Sequence, residues 1–142
     1  MNTTSVIVHN RGTLRSEAEA GPHRLVLDEP VDFGGTGQGP TPYDLLAGAL
    51  GGCTAMTLQF YAKRDGLPLE GADVTVSHDR QHAKDCADCV TQAGYITRFR
   101  VEIALHGPLS PEQRQKLLHV AGRCPVARTL QAEIKIDEVL VE

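Results

Sequence analysis

The sequence predicts a single domain that mixes antiparallel strands with two helices, on three observations. The first third alternates apolar and polar residues between turn signals, the stretch from about residue 41 to 65 switches to a helical period, and a capping box opens a second helix at Ser110. A chain of 142 residues is the size of one ordinary domain, so residues 1–142 are read as one unit.

The alternation runs through Ser5-Val6-Ile7-Val8-His9, Thr13 to Ala20 and His23 to Asp28, broken by Asn10-Arg11-Gly12 and Gly21-Pro22. Turn residues at those breaks predict a small antiparallel meander. Asp32 to Thr41, with four glycines and one proline, reads as a loop too flexible for an element of its own. In the helix that follows, Thr41 is the expected N-cap, Pro42 the first helical residue and Asp44 the first-turn acid. At about 100° per residue, Leu46, Leu50, Cys53, Thr57, Phe60 and Tyr61 share a bulky stripe. Asp44, Gly48, Gly51, Ala55 and Ala62 lie opposite. Each interior Gly costs roughly 1 kcal/mol relative to Ala, so Gly48, Gly51 and Gly52 predict close approach of another backbone and a helix packed on both sides.

Leu67-Pro68-Leu69 breaks that helix. Ala72 to His78 then alternates as a strand, with Gly94 to Leu105 as a partner long enough to pair with more than one neighbour. Ser110-Pro111-Glu112-Gln113 starts a second helix running to about Arg123, with Leu117, Leu118, Ala121 and Cys124 on its apolar face. Pro125 puts Cys124 at or next to the helix end, where a new turn can open at Val126. Glu133 to Val141 alternates Ile134, Ile136, Val139 and Val141 with charges and predicts a final strand.

Composition removes several functions. With 14 Lys plus Arg against 18 Asp plus Glu, a net charge of −4 and no basic cluster, the chain lacks the footprint that nucleic acid or an anionic membrane requires. Pro30 to Ala62, rich in Gly and Pro and broken by Asp32 and Asp44, reads as no membrane span, so the chain is expected to be soluble. Met1 to Thr4 shows neither a basic n-region nor an apolar h-region, which predicts a cytoplasmic location. With no Trp, three Phe and three Tyr, the core falls to Val, Leu, Ile and Ala, and burial shared with a second subunit would help.

Four cysteines in a reducing compartment read as thiols, metal ligands or redox catalysts rather than a disulfide framework. Cys53 and Cys124 each fall on the apolar stripe of a helix. Arg123 and Arg128 flank Cys124 and favour its thiolate, whereas Cys53 has no charge nearby in sequence. Both are also compatible with plain packing, since free cysteine is among the most buried residue types. Cys86-Ala-Asp-Cys89 invites a thioredoxin-like reading, but Asp85 and Asp88 would raise the thiol pKa. His78, His82, Cys86 and Cys89 together carry tetrahedral zinc ligand types, but the spacing is compact and no ligand falls outside the loop; the plainer alternative is a polar loop whose thiols are exposed, satisfied or oxidised to each other. His23, His106 and His119 are given no role, and Lys63-Arg64-Asp65 reads as a solvated helix end.

Gly39-Pro40-Thr41-Pro42-Tyr43-Asp44-Leu45-Leu46-Ala47, continuing into Gly51-Gly52-Cys53-Thr54-Ala55-Met56-Thr57-Leu58, and then Arg123-Cys124-Pro125-Val126-Ala127-Arg128-Thr129-Leu130, resemble the OsmC/Ohr family of thiol-dependent peroxidases over nearly the whole chain. The loop His78 to Cys89 resembles the OsmC-like branch also found fused behind α/β-hydrolase domains. The resemblance implies an α+β fold, antiparallel sheets wrapping two central helices, in an intertwined homodimer with the cysteine pair at the subunit interface. It implies that Cys53 is the peroxidatic thiolate and attacks an organic hydroperoxide, that Cys124 resolves the sulfenic acid as a disulfide, and that an external dithiol restores both. No cofactor or metal is implied. The family's peroxidases carry a Glu just after the helix-opening Pro, where this chain has Tyr43 with Asp44 beside it. That Glu helps hold an N-terminal Arg over the peroxidatic sulfur, a role for which Arg11 and Arg15 are both candidates. Either Asp44 or Tyr43 substitutes, or this branch does something else. Two other functions stay open: a module binding a small hydrophobic ligand or sensing oxidation without turnover, and a zinc-stabilised accessory domain.

Overall fold

The computed structural model describes residues 4–141. The chain divides into two compact units, Met1–Leu46 and Ala47–Glu142.

In the first unit β1 (Ile7–Asn10), β2 (Ser16–Ala20) and β3 (His23–Leu27) form the expected antiparallel meander, in the order β1-β2-β3. Asn10 shapes the first turn: its side-chain amide donates to the Thr13 carbonyl and the Ser16 hydroxyl, and its carbonyl oxygen accepts from the Gly12 N–H. The Gly- and Pro-rich segment after β3 is pinned rather than loose. Asp28, fully buried, accepts from the N–H groups of Glu29, Thr36 and Gln38 and from the Thr36 hydroxyl. The Thr36 hydroxyl, followed by those backbone donors, holds the Asp28 carboxyl down at about 2. Gly35 and Gly39 are required by contact, since a Cβ at Gly35 would lie 1.9 Å from the Glu29 carbonyl and one at Gly39 2.6 Å from that of Val26. One turn of 3-10 helix, Val31–Phe33, interrupts the loop.

Helix α1 spans Pro42–Asp65. Its start is a reciprocal cap: the Asp44 N–H donates to the Thr41 hydroxyl and the Thr41 N–H to the Asp44 carboxylate. Asp32 and most glycines of the Pro30 to Ala62 stretch fall outside it. By length and composition alone α1 is therefore apolar enough to cross a membrane, which removes the ground on which the sequence reading excluded a span. The core helix of a water-soluble protein passes the same test.

In the second unit β4 (Gly71–His82) and β5 (Tyr95–His106) form a two-stranded antiparallel ribbon, Gly71 opposite His106 and His82 opposite Tyr95. β4 runs further than expected at the hairpin end, to His82 rather than His78, whereas β5 forms within one residue of the expected bounds and pairs only with β4 among the described residues. Helix α2 (Pro111–Ala121) opens with the expected capping box, Ser110 to Gln113 in both directions, and a short α3 (Pro125–Gln131) follows at once. Among the described residues three α-helices and two antiparallel sheets make an α+β fold. Leu58, Ala62, Leu109, Leu117, Val120 and Ala121 form the core, with Tyr61, Leu67, Leu69, Ala72, Ile103 and Leu105 packed against it.

The buried stripe of α1 is Leu50, Gly51, Thr54, Leu58 and Ala62, turned from the expected one. Gly51 and Ala62, expected on the bare face, are buried, and a Cβ at Gly51 would come within 3.1 Å of Val76. Gly48 and Gly52 meet nothing within 4 Å among the described residues. Met56 and Phe60 are exposed, at 74% and 65%. Leu118 likewise points outward where Val120 is buried. The expected final strand does not form: residues 133–141 take no strand pairing, and Ile134, Ile136, Val139 and Val141 are exposed. Alternation makes a strand only where an edge accepts it.

Candidate functional site: a close thiol pair

Cys53 lies half-buried on α1, a helix that the Thr41 cap opens and Leu58 and Ala62 seat in the core. Cys124 is fully buried at the N-cap of α3, its backbone at φ −54° and ψ 125° because Pro125 forbids helical geometry there. The break between α2 and α3 brings the two sulfurs close enough for each to shift the other's proton affinity.

Two threonines missed in the sequence complete the arrangement. The Thr54 hydroxyl donates to the Leu50 carbonyl at 2.8 Å and reaches the Cys124 sulfur, and Thr57 reaches the Cys53 sulfur. Thr57 stands one helical turn from Cys53, a spacing the sequence carried. Burial, and then the Cys124 neighbour, push the Cys53 thiol up, against opposing pulls from the Val126 N–H and Thr57. Burial also raises Cys124, but the Cys53 thiol, the Ala127 N–H, Thr54 and the Val126 N–H together outweigh it and bring Cys124 down. Cys124 is thus the sulfur that loses its proton first, with N–H groups of the α3 N-terminus as donors.

The flanking cations are committed elsewhere. Arg123 and Arg64 sit over the Tyr61 ring at 5.7 and 4.4 Å, and Arg123, with Arg64 and Arg128 behind it, lowers the Tyr61 pKa. The expectation that Arg123 and Arg128 activate Cys124 is therefore replaced by main-chain and hydroxyl donors. The supposed solvated end Lys63-Arg64-Asp65 is a junction: Asp65 binds Arg64 on one side and Lys116 of α2 on the other, both at 3.0 Å, which hold its carboxyl at about 2.

Among the other candidates, Arg15 pairs with Glu17 at 3.0 Å and keeps a buried Nε without a hydrogen-bond partner. Arg11 and Arg15 line a groove of about 340 Å³ on the meander. Asp44 is engaged in the helix cap and Tyr43 is half-exposed. The four proposed zinc ligands do not converge. Cys86 and Cys89 are joined in a disulfide, while His82 stacks on Tyr95 at 4.4 Å and His78 lies 5.7 Å from Phe99. The nearest ligand group that forms is Cys86, Asp88 and Cys89. An apolar groove of about 450 Å³ runs between the ribbon and the helices, lined among others by Leu50, Cys89, Arg98, Phe99, Ala127 and Leu130.

An α+β fold with a close thiol pair between a long helix and a helix N-cap defines a class of thiol-bearing proteins. The chain belongs to the OsmC-like protein family, whose model matches residues 35–139. Solved structures share the fold. An OsmC-like protein from Mycoplasma pneumoniae is 19% identical with a TM-score of 0.73, covering 92% of this chain and 88% of that one. An organic hydroperoxide resistance protein OsmC from Legionella pneumophila is 20% identical with a TM-score of 0.67, covering 92% and 90%. An organic hydroperoxide resistance protein from Elizabethkingia anophelis is 16% identical with a TM-score of 0.68, covering 95% and 92%. No curated protein sequence matches the chain.

Proposed function

We propose that this chain is a cysteine-based peroxidase that reduces organic hydroperoxides, alkyl or lipid, in which Cys53 attacks and Cys124 resolves. We place it as a single OsmC-like domain in a cytoplasmic homodimer recycled by an external dithiol. The observation that carries the reading is a close sulfur pair of unequal exposure. Cys53 is half-exposed and Cys124 fully buried, so a hydroperoxide reaches Cys53 first. The Cys124 sulfur, which releases its own proton more readily, is placed to take the Cys53 proton during attack. The Cys53 sulfur then bonds to the terminal oxygen, the O–O bond breaks, and the departing alkoxide takes the proton from Cys124 to leave as alcohol, which restores the Cys124 thiolate. Cys124 thiolate attacks the Cys53 sulfenic acid, forming the disulfide and releasing hydroxide that is protonated to water. Two thiols and one hydroperoxide thus give one disulfide, one alcohol and one water. Two neighbours of the same fold are named for organic hydroperoxide resistance, which agrees with this chemistry.

Addition of cumene hydroperoxide to reduced protein should lower the intact mass by two hydrogens, with Cys53 and Cys124 in one cross-linked peptide. Cys53→Ser should abolish that product. A wild-type protein that keeps both thiols free under a tenfold excess of hydroperoxide would sink the proposal. The apolar groove favours a second reading, a carrier or sensor of a small hydrophobic molecule that reacts once. Repeated turnover with dithiol separates the two.

A further inference from the structure

We propose that Cys86 and Cys89 form a second redox centre, a reversible dithiol/disulfide that exchanges with external thiols, in which Cys89 receives the incoming thiolate and Arg98 holds the departing Cys86 thiolate. The inference stands apart from the peroxidase reading, since it concerns neither Cys53 nor Cys124.

The bridge is poorly suited to a structural role. It closes a loop of four residues, and a loop that short removes little freedom from the unfolded chain. The hairpin it decorates is already closed beneath it by the His82–Tyr95 pairing and the bond from the Ala83 N–H to the Gly94 carbonyl.

Its surroundings instead suit exchange. Both sulfurs belong to half-buried residues at a hairpin end, with Asp88 exposed beside them. The expected obstacle was the charge of Asp85 and Asp88. The Asp88 carboxylate stands 3.1 Å from the Cys86 sulfur, and Arg98, reaching across from β5, answers it: its Nη2 lies 2.9 Å from that carboxylate and 3.3 Å from the sulfur. The same guanidinium keeps the Asp88 carboxyl below its ordinary range. Bound to carboxylate and sulfur at once, the guanidinium offsets the Asp88 charge and gives Cys86 a cation in contact, which favours it as the leaving thiolate. Cys89, the other sulfur's residue, lines the apolar groove, an approach from which a thiol can reach it. The two cysteines therefore differ in role.

The step balances as ordinary thiol–disulfide exchange. The thiolate of an external dithiol bonds to the Cys89 sulfur, the Cys86–Cys89 bond breaks, and its electron pair leaves on Cys86 beside Arg98. The second thiolate of the reductant then bonds to its own first sulfur and releases Cys89. The products are protein dithiol and oxidised reductant, two electrons having passed to the protein. Reduction opens one wall of the groove that Leu50 and Ala127 also line.

The test uses the full-length wild-type chain equilibrated in graded ratios of reduced to oxidised dithiothreitol and glutathione, quenched by alkylation and read on the tryptic peptide spanning residues 85–98. The expected result is a reversible two-electron transition in folded protein, with Cys86 alkylated faster than Cys89 at pH 6. Lowering a thiol pKa by one unit raises its thiolate fraction about tenfold and takes back about a factor of three in nucleophilicity. Arg98→Met should therefore slow Cys86 about threefold or more, with Cys89 unchanged, and Asp88→Asn, which frees Arg98 for the sulfur, should speed it. A bridge that resists excess dithiothreitol until the protein unfolds would overturn the proposal, as would Cys86 and Cys89 rates that ignore both substitutions.

Discussion

Replacing Phe60 by Ala tests whether the outward face of α1 is covered by a second copy of the chain. Phe60 is 65% exposed within one chain, and Met56, one turn earlier on the same face, is 74% exposed. An aromatic side chain buries about 200 Å² in full, so about 130 Å² of Phe60 faces outward. At about 25 cal/mol per Å² that surface is worth about 3 kcal/mol per chain once covered. A symmetric pair covers it twice, about 6 kcal/mol per dimer, or about four orders of magnitude in the dimer dissociation constant. In an isolated chain the same substitution costs within about 0.5 kcal/mol. Leu58→Ala is the internal standard: Leu58 is fully buried in the core, so it costs about 3 kcal/mol at any protein concentration. Sedimentation equilibrium and urea unfolding at two concentrations a hundredfold apart read both. The homodimer expectation requires Phe60→Ala to shift wild-type dimer toward monomer and make the unfolding midpoint concentration-dependent in the micromolar range. A wild-type monomer whose midpoint ignores both concentration and Phe60→Ala refutes the reasoning.

Four further substitutions address the site and the loop. In a 240 nm titration of reduced protein, Thr54→Val and Cys53→Ala should each delay Cys124 thiolate formation to higher pH, because each removes a donor that holds Cys124 down; no movement in either would deny the hydroxyl and thiol that role. Asp28, held at about 2 when folded against an ordinary 3.8, contributes stability that is complete above the unfolded pKa and is lost as pH falls from about 4 toward 2. Thr36→Val, which removes the largest of its supports, should therefore move acid unfolding, followed by circular dichroism, to higher pH. Gly35→Ala sets a methyl 1.9 Å from the Glu29 carbonyl and should cost about 2 kcal/mol or more in chemical denaturation; an unchanged midpoint would mean that the loop gives way.

Local signals carried well where chemistry is local. Thr41, Pro42 and Asp44 predict the start of α1, Ser110 and Gln113 that of α2, and the turn residues around Gly12 and Gly21 the meander, because caps and turns are settled by neighbours within four residues. The pairing of Cys53 with Cys124 came from motif resemblance, and no spacing within either helix implies it. What failed was long-range. The buried stripe of α1 is set by where Val74 and Val76 of β4 lie, and the period alone cannot choose between two apolar faces. Arg123 and Arg128 looked like partners of Cys124 because they are near it in sequence, but Arg123 sits over Tyr61, some sixty residues away, and neither is among the groups that shift Cys124. Asp28 looked like the last residue of a strand, yet its donors lie one to ten residues downstream in a stretch whose composition suggested slackness. Residues 133–141 carry strand alternation yet pair with no strand among the described residues, because alternation alone does not choose a partner edge.

The two cysteine pairs are tuned by opposite physics, and salt separates them. Cys53 and Cys124 are adjusted by neutral donors, N–H groups of Val126 and Ala127 and the hydroxyls of Thr54 and Thr57, in a buried setting. Mobile ions do not enter such a setting, and dipoles carry no net charge to screen. Cys86 is adjusted by one guanidinium, that of Arg98, half-exposed and shared with an exposed carboxylate. At 1 M salt the Debye length shrinks to about 3 Å, comparable to the 3.3 Å between Arg98 and the Cys86 sulfur. Raising salt from 0.05 to about 1 M should thus slow alkylation of Cys86 in reduced protein and leave the 240 nm titration of Cys124 in place. If the Cys124 titration moves with salt as far as the Cys86 rate does, a cation tunes both pairs, and the account of Cys124 as a thiol held by main-chain and hydroxyl donors is wrong.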